Sequence, residues 1–103
     1  MNLNLKDKVF LVTGGAKGIG KGIVELLASE GAIPVIIGRK QKDNEEVAKE
    51  LEDKGFKSLP VQAELTLPED CKRAVEEVVS KLGRIDGLVN NAGLNDGVSF
   101  GER

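Results

Sequence analysis

The chain has 103 residues, 40% of them apolar and 31% charged, with Lys+Arg 15 against Asp+Glu 17 and a net charge of −2: the balance of a folded globular domain, with no basic excess to draw it to nucleic acid or an acidic membrane. It has no histidine and one cysteine, Cys71, which argues against a metal site and an internal disulfide and makes the reducing cytoplasm the expected compartment. No apolar run nears the roughly 20 residues of a membrane span, and Met1 to Asp7 is too polar for a secretory signal.

Apolar runs of strand length alternate with amphipathic runs of helix length. Lys8 to Thr13 reads as the first strand. Gly18 to Glu30 reads as a helix with Ile19, Ile23, Leu26 and Leu27 on one face, and Gly31 suits the left-handed position after it. Ile33 to Gly38 is a second strand, with Pro34 near its start, where a missing N–H is tolerable. Lys42 to Lys54 is a charged helix with a thin apolar stripe of Val47, Ala48 and Leu51, ended by Gly55. Lys57 to Ala63 is a third strand. Thr66 and Glu69 have capping-box spacing, opening a helix to Leu82 with Cys71, Ala74, Val75, Val78, Val79 and Leu82 inward and Gly83 closing it. Ile85 to Asn90 is a fourth strand, and Leu94 to Arg103 reads as a loop. This order predicts an α/β fold with parallel strands, right-handed crossovers and helices on both faces. Continuous apolar strands such as Val35-Ile36-Ile37 fit a sheet buried on both sides.

The run Val12-Thr13-Gly14-Gly15-Ala16-Lys17-Gly18-Ile19-Gly20 joins the first strand to the first helix. A glycine-rich turn there lets the backbone approach a phosphate closely, and the helix directs its unpaired N–H groups and positive dipole end at the anion. Three readings follow. One is a tight turn with no ligand. The second is a triphosphate-binding loop: Gly15 to Lys21 matches its first seven positions, but the eighth is Gly22, so the hydroxyl that would hold Mg²⁺ is absent. The third is dinucleotide binding, with looser spacing between its first two glycines than G-x-G-x-x-G.

Thr13-Gly14-Gly15-Ala16-Lys17-Gly18-Ile19-Gly20 resembles the cofactor motif of the short-chain dehydrogenase/reductases, and Asn90-Asn91-Ala92-Gly93, at the end of the fourth strand, resembles their second motif. The resemblance runs from about Leu5 onward. It implies a single NAD(P)-binding domain over 1–103, the N-terminal part of a Rossmann-like doubly wound fold with strand order 3-2-1-4. Strands 1 and 4 are then neighbours, and their carboxyl ends flank the crevice where ligands bind. The residues it assigns to the cofactor are Gly14, Lys17, Gly18, Ile19, Gly20, Arg39, Glu64, Leu65, Asn91, Ala92 and Gly93. Asn90 and Asn91 also suit plain turn chemistry.

A carboxylate after the second strand would favour NAD and repel a 2′-phosphate. Here the residues are Gly38-Arg39-Lys40, with no acid before Asp43. Arg39 offers paired charge-assisted N–H bonds to a 2′-phosphate, and Lys17 is a second cation; NADP is the expected cofactor and NAD the alternative. All three cations also suit plain solvent exposure. Glu64 stands where the family usually has an aspartate on the adenine amino group, and Leu65 is expected to pack on the adenine face. Glu64 also reads as a solvated acid ahead of the third helix.

The family's chemistry uses a serine and Y-x-x-x-K, but this chain has no tyrosine, and Ser29, Ser58, Ser80 and Ser99 do not match the catalytic serine. The expectation is therefore a cofactor-binding half of an NAD(P)-dependent oxidoreductase acting on alcohol or carbonyl groups, truncated before strand 5, with no catalytic residue of its own and inactive alone. The alternative is a non-catalytic nucleotide-binding or assembly module. A fourth strand left as an open apolar edge invites pairing, and a homo-oligomer is expected of the longer protein. The wording from Asn91 to Val98 resembles sugar-oxidising members such as L-fucose dehydrogenases, although ketoacyl reductases and steroid dehydrogenases share the same N-terminal half.

Overall fold

The computed structural model describes residues 4–91. In chain order the elements are β1 (Val9–Thr13), α1 (Gly18–Ser29), β2 (Ile33–Gly38), α2 (Gln41–Asp53), β3 (Leu59–Gln62), α3 (Pro68–Leu82) and β4 (Gly87–Asn90). The four strands form one parallel sheet of order β3-β2-β1-β4, as the alternation and the resemblance predict. The register places Leu11 beside Val35 and Leu88, and Ile37 beside Val61.

Because strand side chains alternate between faces, two cores form. On one face Val12 and Ile36 meet Val24 and Ala28 of α1 and Val47 and Leu51 of α2. On the other, Val9, Leu11, Val35, Ile37 and Val61 meet Ala74 and Val78 of α3. Each buried Val, Leu or Ile contributes about 1.5–3 kcal/mol, so β1 and β2, apolar on both faces, hold the domain together. Pro34 is accommodated by register. Ile33 donates to Lys8 O at 2.8 Å, so in a parallel ladder the next residue faces the β3 side, where pairing begins only at Val35.

Helix ends follow the sequence closely. Gly31, Gly55 and Gly83 all take left-handed φ, at 88°, 84° and 76°. The start of α3 differs from the capping-box expectation. Its N-cap is Leu67, not Thr66, because Pro68, with φ already fixed, takes the first helical position. Asp70, not Glu69, then stands third in the helix and accepts the Glu64 N–H at 2.9 Å. Helix faces are also narrower than the apolar spacing implies. Ile19 and Leu26 of α1 and Val75 and Val79 of α3 are exposed.

The link to β4 is fixed by charge. Asp86 accepts the Val9 N–H at 2.8 Å and two guanidinium N–H bonds from Arg84. The Arg84 bonds, then that of Val9, hold the Asp86 carboxyl below its usual range. Among the described residues β4 pairs only with β1, and Leu88 on it is 62% exposed. Val75, Val79 and Ile85 are exposed as well.

Candidate functional site: the cleft at the carboxyl ends of the strands

Past the carboxyl ends of β1, β2 and β3 lies an open cleft of about 620 Å³. One wall is the β1–α1 turn with Gly14, Ala16 and Lys17; the rim is Gly38, Arg39 and Lys40; the far wall is Ala63, Glu64 and Leu65. Five of the expected site residues, Gly14, Lys17, Arg39, Glu64 and Leu65, therefore line one space. Gly18, Ile19 and Gly20 form the first turn of α1 beside it. Asn91 lies buried behind the turn. Ala92 and Gly93 fall outside the described residues, as does the loop read for substrate contacts.

The turn has the geometry that suits an anion. Gly14 and Gly18 adopt φ of 67° and 53°, where a side chain is strained. The N-cap of α1 is Lys17, which can only donate, and no side chain caps the helix. The first-turn N–H groups of α1 are thus left to an acceptor from outside the helix. Gly20 lets that turn close on the sheet. A Cβ there would stand 2.0 Å from Gly14 O and 2.6 Å from Asn91 Nδ2.

Behind the turn, Thr13 links the two glycine- and asparagine-bearing segments. Its hydroxyl accepts the Asn91 N–H at 2.8 Å and lies 3.1 Å from Asn90 Oδ1. Asn91 Nδ2 reaches Gly14 O at 3.4 Å, and its Oδ1 is buried without a hydrogen-bond partner among the described residues. The two motifs meet as expected, through a hydroxyl that sequence reasoning passed over. The signal was a threonine ending an otherwise apolar strand.

The β2–α2 turn is pinned from below. Asn44 is fully buried, and its amide donates to Gly38 O at 3.1 Å, Val61 O at 3.3 Å and Gln41 Oε1 at 3.1 Å. Its Oδ1 would stand 2.6 Å from a Cβ on residue 38, so the strand ends in glycine there. Gln62 donates to Arg39 O at 2.9 Å, and Arg73 holds Gln62 O at 2.7 Å. The backbone under Arg39 is fixed while its guanidinium makes no ion pair among the described residues. Asn44 had a sequence signal: it stands three and seven residues before Val47 and Leu51, on their stripe. Glu64 is less open than expected. Its Oε1 accepts the Thr66 N–H at 3.4 Å and lies 3.1 Å from Thr66 Oγ1.

A glycine turn, an uncapped helix start, two cations and an apolar wall give the cleft chemistry that suits an anionic nucleotide. No described helix is long and apolar enough to cross a membrane, and no cluster of three metal-ligating side chains occurs among the described residues.

Comparison with known proteins agrees with this geometry. The family described as short chain dehydrogenase matches residues 8–103. The 3-oxoacyl-(acyl-carrier-protein) reductase FabG of Thermotoga maritima is 46% identical over 93 residues, covering 89% of this chain and 37% of that protein. The L-sorbose reductase of Gluconobacter frateurii, solved with NADPH and L-sorbose, superposes at a TM-score of 0.87 with 36% identity, covering 100% of this chain and 40% of that one. The 3-ketoacyl-(acyl-carrier-protein) reductase of Brucella melitensis, solved with NADH, gives 0.75 with 38% identity, covering 82% and 33%. The chain thus spans about a third to two fifths of the length of these relatives. With a parallel sheet of order 3-2-1-4, a glycine turn locked to Asn91 and a family match over nearly its whole length, this chain belongs to the short chain dehydrogenase family.

Proposed function

We propose that this chain is the cofactor-binding half of an NADP(H)-dependent oxidoreductase acting on a CH–OH group or its carbonyl. The observation that carries the reading is the shared cleft. Lys17 and Arg39 line the same space as the phosphate turn, and the first residues after Gly38 are cations rather than a carboxylate. On this reading the first turn of α1 holds the pyrophosphate, Arg39 and Lys17 hold the 2′-phosphate, and Leu65 packs on the adenine. Asn91, Ala92 and Gly93 follow the cofactor toward its nicotinamide, with Asn91 fixing the turn from behind. The nicotinamide, when bound, supplies or takes up the hydride. The chain's own residues bind and orient; no tyrosine is present to move the alcohol proton, so the chain alone is inactive.

The substrate reading is a polyhydroxylated alcohol or sugar. It rests on the wording from Asn91 to Val98 and on the likeness to a reductase solved with L-sorbose. The likeness to 3-oxoacyl reductases favours ketoacyl reduction as the second reading. A cytoplasmic location is proposed from the cysteine usage, and self-association from the exposed apolar side chains Val75, Val79, Ile85 and Leu88.

The test is turnover by the intact gene product with a panel of aldoses, polyols and 3-oxoacyl thioesters, each with NADP(H) and NAD(H). Oxidation of an aldose or polyol with NADP⁺ preferred is expected. Turnover of thioesters alone would overturn the sugar reading, preference for NAD⁺ the cofactor reading, and no turnover at all the enzyme reading.

A further inference from the structure

Asp43 has no role in the cofactor reading so far, yet it stands within the same cleft. It occupies the first turn of α2, and its Oδ2 lies 3.5 Å from Lys17 Nζ. This contact spans the mouth of the cleft: Lys17 belongs to the β1–α1 turn and Asp43 to the element after β2. Its neighbours Gln41 and Asn44 are anchored to β3, through Pro60 O at 3.4 Å and Val61 O at 3.3 Å. The carboxylate therefore sits on a fixed helix start, while Lys17 is the more exposed partner, its side chain 71% accessible against 31% for Asp43.

We infer that Asp43 is a specificity-determining residue, which holds Lys17 across the cleft mouth and lowers the preference for a 2′-phosphorylated cofactor over its unphosphorylated counterpart. The inference rests on the reading of the cleft as an adenosine 2′-phosphate site. The reasoning is electrostatic. A 2′-phosphate brings close to two negative charges at neutral pH. To meet it, Lys17 must exchange its carboxylate partner for the phosphate, and the carboxylate left nearby repels the anion. A ribose hydroxyl meets neither obstacle. Arg39, with no ion pair among the described residues, is not opposed in this way. The balance of Arg39 and Lys17 against Asp43 then sets how strictly the site demands the extra phosphate. The helix start also gains from Asp43, because an acid in the first turn complements the helix dipole, so a second readout is needed to separate the two roles.

The experiment compares the affinities of 2′,5′-ADP and 5′-AMP for the intact gene product by isothermal titration calorimetry, in the unmutated protein, Asp43→Asn, Lys17→Gln and the double variant. Asp43→Asn is expected to tighten 2′,5′-ADP about fivefold and to leave 5′-AMP within about twofold. The gain should shrink in the Lys17→Gln background and at raised salt. A purely structural role would move both ligands together. An unchanged ratio of the two affinities, or a gain that persists in full without Lys17, would overturn the inference while leaving the cleft reading intact. Failure of both ligands to bind the unmutated protein would overturn the cleft reading and the inference with it.

Discussion

Gly20→Ala is expected to abolish nucleotide binding and to destabilise the domain by about 3 kcal/mol or more. The new Cβ would stand 2.0 Å from Gly14 O, a backbone atom that cannot rotate aside, and 2.6 Å from Asn91 Nδ2. Either α1 lifts away from the sheet or the turn loses its shape. The first outcome opens the core around Val24 and Ala28, and the second moves Gly14 and Gly18 off the phosphate path. Two residues along the same helix, Gly22 meets nothing within 4 Å of its own hypothetical Cβ. Gly22→Ala should therefore stabilise by about 0.5–1 kcal/mol through helix propensity and a less free unfolded chain. Urea unfolding of both variants checks the pair. Two equal effects would show that close approach at Gly20 is not what holds the turn.

Arg39→Asp should weaken NADPH binding by about 100-fold, the loss of two charge-assisted hydrogen bonds joined by repulsion of the phosphate. NADH binding should hold or improve, because a carboxylate at this point accepts from a ribose hydroxyl. Fluorescence titration of both cofactors gives the ratio directly. The turn itself should survive the change, since Gln62 holds the backbone oxygen of residue 39, not its side chain. An unaltered melting temperature would confirm that the affinity change is local. An unchanged preference between NADPH and NADH would remove Arg39 from the assignment.

The fold and the core of the site were legible because they rest on patterns that repeat. Alternating runs fixed the element order, the glycines at 31, 55 and 83 marked the helix ends, and two motifs at the ends of β1 and β4 named a place where they must meet. What stayed hidden depends on one side chain's reach. Thr66 has a capping residue's spacing, yet Pro68 starts the helix one residue later and gives the reach-back bond to Asp70. Val75 and Val79 look inward by helical spacing, but only Ala74 and Val78 of α3 are fully covered by the sheet, and Val75 and Val79 are exposed. Asn44 reads as one more polar residue of a charged helix until its three acceptors are seen. Asp43 reads as an ordinary acid until Lys17 is found 3.5 Å away across the cleft. Such pairings join residues from separate elements, and local sequence carries no record of them.

The central claim is that the cleft beyond β1, β2 and β3 receives the adenosine end of a 2′-phosphorylated dinucleotide. The direct measurement is an amide chemical-shift titration of the isotope-labelled protein with 2′,5′-ADP. The account predicts saturable shifts at Gly14, Lys17, Gly18, Arg39 and Leu65. Shifts gathered instead around Lys6, Gly31 and Lys57, at the opposite end of the strands, or no saturable shift at any residue, would contradict it.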